Sequence, residues 1–403
     1  MTYTRALLAL FVLAAASSVQ SAPAGQDSFG VPLPSGVAKF SPEGFPITNE
    51  GTELHLVQTE ADVPATWVPE ARIWELKQKD VDFMDITLQP NLARNADETR
   101  RKQQLPKPKN FAPSLGASQV LNEIQPIIDS TNTELIKSSL TKLTSFYNRY
   151  YRSTYGTQSA TWLFEEVKRL AGQAKPGLTV TVNQFKHSFN QPSVIARIDG
   201  EAGVDETVII GSHQDSVNSQ NRQGRAPGAD DDGSGTSSVL EAFRALIASD
   251  FKPKRPIEFH WYAGEEAGLL GSQDIAASYQ NAGRKVAGML QLDMTGTPAN
   301  GRPNEIGFVS DNVNEALTKT VEGLADQVLP GVTHKRFRCG YGCSDHASWT
   351  KAGYPSAFPF ESAGLSDNRN IHSTADTIDK VNFDHVLRFS KLAIAYAVTL
   401  SSQ

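Results

Sequence analysis

Three apolar runs of this chain stop in the same way, on ionisable side chains. Val208-Ile209-Ile210 leads through Gly211-Ser212 to His213-Gln214-Asp215, residues 257–262 open into Ala263-Gly264-Glu265-Glu266, and residues 287–292 run straight into Asp293. Short apolar runs bounded by turn residues read as buried strands, and strands buried on both faces belong to parallel sheets. A carboxylate at the buried end of such a strand is costly unless it is paired or ligated. The pattern therefore asks for a sheet whose strand ends converge on something cationic. Further strands are expected at 178–182, 194–198, 306–309 and 357–360. Helical stretches lie at 236–248, 272–282 and 312–327, with 117–152 and 159–172 helix-rich. This alternation predicts an α/β fold with a mixed, largely parallel central sheet covered by helices on both faces, forming a single catalytic domain.

Composition narrows the chemistry. The chain has 403 residues, 39% hydrophobic and 20% charged, which is globular rather than disordered. Its net charge of −6 argues against nucleic acid as a partner. With only two cysteines there is no cysteine-built metal cluster, so a metal would need histidine and carboxylate. Neither a Gly-x-Ser-x-Gly elbow nor a Gly-x4-Gly-Lys loop occurs, which removes support for serine acyl transfer and nucleotide hydrolysis.

The N-terminal quarter reads differently from the rest. Arg5, the apolar run 6–16 and small residues up to Ser21 have the layout of a secretory signal peptide, residues 1–21, and that run is too short for a membrane span. Residues 22–102 carry 13 acidic against 8 basic residues and close on Arg100-Arg101-Lys102, followed by a proline-bearing linker. An acidic block ended by an exposed basic cluster suggests a removable prosegment. Residues 103–403 are then the catalytic domain, the product is secreted and extracellular, and no membrane partner is expected.

Five signals carry ionisable groups in order: His213-x-Asp215, Asp230-Asp231-Asp232, Glu265-Glu266, Asp293, and His372 with Asp376. Alternation puts His213 and Asp215 on one side of their strand, where Asp215 can fix the imidazole tautomer. The acidic triplet also fits several positions of an EF-hand loop, but residues 218–228 are no helix, so calcium is set aside. Adjacent glutamates diverge, so one of Glu265 and Glu266 can ligate while the other acts as base. Nothing in the residues alone chooses between them, or among the three aspartates. Histidine and carboxylate without thiolate suit zinc, and a shared carboxylate would let five ligands serve two ions.

In this order the motifs resemble the secreted co-catalytic di-zinc aminopeptidases, closest to the fungal leucine aminopeptidases, over residues 110–403. The resemblance implies two Zn2+ per chain, with Asp231 bridging, His213 and Asp293 on one ion, and Glu266 and His372 on the other. It also implies Glu265 as general base acting on a zinc-bridging hydroxide, Asp215 as the partner of His213, and a pocket lined by Met294, Tyr341, Phe358, Phe360 and Ile371. Read without it, Phe358 and Phe360 are as well explained as core. Cys339 and Cys343 would form a disulfide shaping the Tyr341 loop, which Asp345-His346 would support. The expected activity is removal of large apolar, leucine-type N-terminal residues from peptides with a free N-terminus. The prosegment would be an intramolecular partner of a monomer. A carboxypeptidase or deacylase on the same scaffold, or a non-enzymatic receptor-type domain, are the alternatives.

Overall fold

A computed structural model describes residues 32–61, 63–102 and 117–403. The signal-peptide reading of 1–21 and the linker after Lys102 lie outside the described residues. The N-terminal unit comprises β1 (Val37–Phe40), β2 (Pro46–Thr48), β3 (Leu54–Gln58), β4 (Thr66–Pro69), α1 (Glu70–Gln78), β5 (Met84–Asp85) and α2 (Ala96–Lys102). There follow α3 (Ala117–Asp129), α4 (Glu134–Ser145), α5 (Thr154–Ala171), β6 (Val180–Phe185), β7 (Ser193–Ile198), β8 (Thr207–His213), α6 (Gly233–Ile247), β9 (Ile257–Tyr262), α7 (Leu270–Asn281) and β10 (Val286–Gln291). The chain ends with β11 (Glu305–Val309), α8 (Glu315–Val328), β12 (Thr333–Phe337), α9 (His346–Ala352), β13 (Ser356–Ala357), β14 (Pro359–Phe360) and α10 (Phe383–Ser401).

The central sheet has the order β13-β10-β8-β9-β7-β6. β13, β10, β8 and β9 run parallel, while β7 and β6 pair antiparallel at one edge. Alternation along β8 sends Val208 and Ile210 into a core shared with α3, α5, α6, α8 and α10, and Ile209 into a second core with α7 and α9. The sheet is thus covered on both faces, as the uninterrupted apolar runs demand. No helix among the described residues is long and apolar enough to cross a membrane.

Several boundaries differ from expectation for local reasons. The stretch 117–152 is two helices, because Ser130, Thr131 and Asn132 turn the chain between α3 and α4. α5 begins at Thr154 because the Ser153 side chain accepts from Gly156 N and caps it. The single strand expected at 357–360 is split: β13 pairs with β10 in the central sheet, and β14 pairs with β11 in a second sheet of order β12-β11-β14. α10 and β12 were not foreseen. The N-terminal unit is folded against the body, sharing one apolar cluster through Phe45, Tyr150, Tyr151 and Ala263 and another through Leu56, Met84, Leu269 and Tyr341.

Candidate active site

The parallel neighbours β10, β8 and β9 end side by side, and each delivers an ionisable residue: Asp293 just after β10, His213 at the end of β8, and Glu265-Glu266 after β9. Ligands collect at the carboxyl ends of strands in such sheets. His213 Nε2 lies 3.1 Å from Asp231 Oδ1 and 3.4 Å from Asp293 Oδ1. His372 Nε2 lies 3.1 Å from Asp231 Oδ2 and 3.2 Å from Glu266 Oε2. The two oxygens of Asp231 therefore face two different histidines, and two groups of donors share one carboxylate.

The spacing suits a metal. Donors bonded tetrahedrally at 2.0–2.1 Å stand about 3.3 Å apart, and the four separations run from 3.1 to 3.4 Å. Asp293 Oδ1 is buried without a hydrogen-bond partner, so one acceptor is left for a ligand. Burial opposes charge on both imidazoles, yet the carboxylates raise them well above the ordinary histidine range, Asp293 and Glu265 acting on His213 and Glu266 on His372. Asp231 is held low against burial by its hydrogen bonds to the two histidines. Burial pushes the Glu265 carboxyl well up, as suits a proton acceptor, opposed by His213 and Lys77.

The acidic triplet divides its work. Asp232 caps α6, its Oδ1 accepting from Gly235 N at 2.8 Å and Met294 N at 3.2 Å and its Oδ2 from His213 N at 3.1 Å. Asp230 accepts from Gly296 N at 2.9 Å and Asn368 Nδ2 at 2.7 Å. Only Asp231 is left facing the histidines. Asp215 accepts from Glu265 N at 3.0 Å and Glu266 N at 3.2 Å, with His213 Nδ1 farther off at 3.5 Å. Its closer hold is on the backbone that presents the glutamates.

Residues without an assigned role in the sequence reading complete the frame. Asp376 accepts from Asp230 N at 2.9 Å and Asp231 N at 3.0 Å. Ser344 Oγ donates to Asp293 Oδ2 at 2.6 Å. Arg149, fully buried, donates to the carbonyls of Gln214, Pro227 and Gly228 and ties the His213 and Asp231 loops together. Asp376 stood within a quoted motif; Arg149 gave no signal, because its partners lie 65 or more residues away.

Above the donors opens a cavity of about 540 Å3. Met294, Phe360 and Ile371 line it, together with Leu365. Phe358 does not: it lies behind the wall, its ring 4.9 Å from that of His346 and 5.7 Å from that of Phe360. Tyr341 turns its hydroxyl away, donating to Gln58 Oε1 at 2.9 Å and accepting from Lys351 Nζ at 2.9 Å. Cys339 and Cys343 are at disulfide distance, Sγ to Sγ 2.00 Å, and Cys343 borders the cavity. Met294 and His372 both have positive φ, 53° and 52°, a conformation that non-glycine residues keep where the surroundings enforce it, often at functional sites. The N-terminal unit supplies another stretch of wall: Lys77, Asp80, Asp82 and Phe83, with Lys77 Nζ 2.7 Å from Glu266 Oε2.

Histidine and carboxylate donors gathered at the strand ends of a largely parallel sheet, beneath a cavity, form a candidate metal-dependent catalytic centre. The model of Peptidase family M28 matches residues 193–397, and the chain belongs to that family. It is 39% identical over 372 residues to Leucine aminopeptidase 1 of Chaetomium globosum, covering 89% of this chain and 88% of that one. With Leucine aminopeptidase 1 of Coccidioides posadasii it shares 42% identity over 350 residues, 83% of this chain and 86% of the other. The LapA aminopeptidase of Legionella pneumophila superposes with a TM-score of 0.72 at 30% identity, over 84% of this chain and 91% of that chain.

Proposed function

We propose that this protein is a secreted aminopeptidase that removes large apolar, leucine-type residues from the free N-terminus of peptides, using two zinc ions held around Asp231. The observation that carries the reading is the arrangement of Asp231, each of whose oxygens lies 3.1 Å from one histidine. His213, Asp231 and Asp293 would hold one ion, and Asp231, Glu266 and His372 the other. When bound, zinc supplies a Lewis acid for the scissile carbonyl and lowers the pKa of water. Glu265 accepts the proton of the attacking water and returns it to the leaving amine. Asp215 keeps Glu265 and Glu266 aimed by accepting from their backbone N–H groups. Met294, Phe360, Leu365 and Ile371 give the cavity an apolar wall for the departing residue. Relatives named leucine aminopeptidase support the same side-chain preference.

Residues 22–102 act, on this reading, as a removable prosegment and intramolecular partner that covers the cavity of a monomer. Support comes from Lys77, Asp80, Asp82 and Phe83, which form one wall of it. The test compares Leu-p-nitroanilide with its N-acetylated form and with a peptide probed at its C-terminus. Only the free-amine substrate should turn over; equal turnover of the blocked one would exclude an aminopeptidase. Glu265→Gln should keep fold and zinc while losing about 10²–10⁴ in turnover, and near-normal turnover would remove Glu265 from the base role.

A further inference from the structure

Helix α1 directs its last turn at the floor of the cavity. Lys77 there is 13% exposed, and its Nζ lies 2.7 Å from Glu266 Oε2. That is the same oxygen that faces His372 Nε2 at 3.2 Å. The residues that follow hold the lysine in place. Asp80 Oδ1 is 3.7 Å from His372 Nδ1, and Asp85 N donates to Gly268 O at 3.1 Å. At Gly268, with φ of 102°, a Cβ would stand 2.6 Å from Asp85 N, so only glycine lets the segment lie this close. One carboxylate oxygen thus serves an ammonium where the second group of donors needs it for a metal ion. Two positive charges on one oxygen repel far more strongly in a buried site than in water.

Resting on the metal-centre reading above, we propose that Lys77 is an internal competitor for the second metal position. With residues 77–85 seated, the full-length chain holds a second divalent ion weakly, and departure of the segment releases Glu266 to it. The segment blocks the mouth and also leaves the centre half assembled. Linkage makes the effect reciprocal, so a second ion loosens the seated segment.

The test is zinc competition between the full-length chain and a chromophoric chelator, for wild type, Lys77→Met and Lys77→Arg. The first equivalent should bind alike in all three. The second should bind on the order of 10–100 times more tightly in Lys77→Met, while Lys77→Arg, which keeps the charge, should stay with wild type. Saturating zinc should also speed amide exchange across 77–85 in wild type and leave it unchanged in Lys77→Met. Equal second-equivalent affinities in wild type and Lys77→Met, with exchange unmoved by zinc, would overturn the proposal. If no chain, Lys77→Met included, took up two equivalents, the metal centre itself would be contradicted and this proposal with it.

Discussion

Asp231 and Asp232 are neighbours in sequence and opposites in duty. Asp231 faces two histidines, whereas Asp232 satisfies three backbone N–H groups that would otherwise be buried unpaired. The two should therefore separate cleanly by measurement. Asp232→Ala removes a helix cap and strands donors at the ends of β8 and β10, so it should lower stability by at least about 2 kcal/mol in a denaturant melt. Asp231→Asn leaves those three N–H groups paired and should abolish stoichiometric zinc binding, read by metal titration of the folded protein. If Asp232→Ala melted like wild type, the structural duty assigned to the third acid would be wrong. The motif itself was legible as three costly carboxylates before a helix. Which of them faces the histidines was not, because that depends on the β8 and β10 ends and on Asp376, 145 residues from Asp231.

Among the elements, the central strands were readable because burial on both faces leaves long apolar runs. α10 was not, for the same reason turned round: residues 392–401 are buried throughout, so no polar face marks a helical period. The split between β13 and β14 had a single local mark, Pro359, which opens β14 directly after Phe358; a proline is tolerated at the first residue of a strand, so it did not by itself show a change of sheet. The N-terminal unit shows its folding only through long-range pairs. In β3, burial disfavours a charged His55, but Asp85 at 2.6 Å and Glu53 at 3.2 Å raise it to about 9. A histidine raised in the folded state stabilises fully below its ordinary pKa near 6.5, and that contribution is lost as pH climbs through about 9. Limited proteolysis of the N-terminal unit should accordingly quicken between these limits in wild type and show no such rise in His55→Gln. A flat wild-type profile would show that the His55 pair does not hold the unit together.

Taken as one molecule, the chain sets an acidic N-terminal unit on a large body, yet that unit reaches the centre with a lysine. The order of motifs along the sequence located the centre. The reach of Lys77 was invisible, because its partner Glu266 lies 189 residues away and nothing local to helix α1 distinguishes it from any solvated lysine. Peptide hydrolysis and the competition from Lys77 both require that the donors around Asp231 hold the ions that do the chemistry. The most direct test is Leu-p-nitroanilide turnover of the processed protein, stripped with a chelator and then titrated with zinc. Turnover should be absent without zinc and reach its plateau by two equivalents per chain. Turnover that persists in the stripped protein, or that zinc fails to restore, would contradict it.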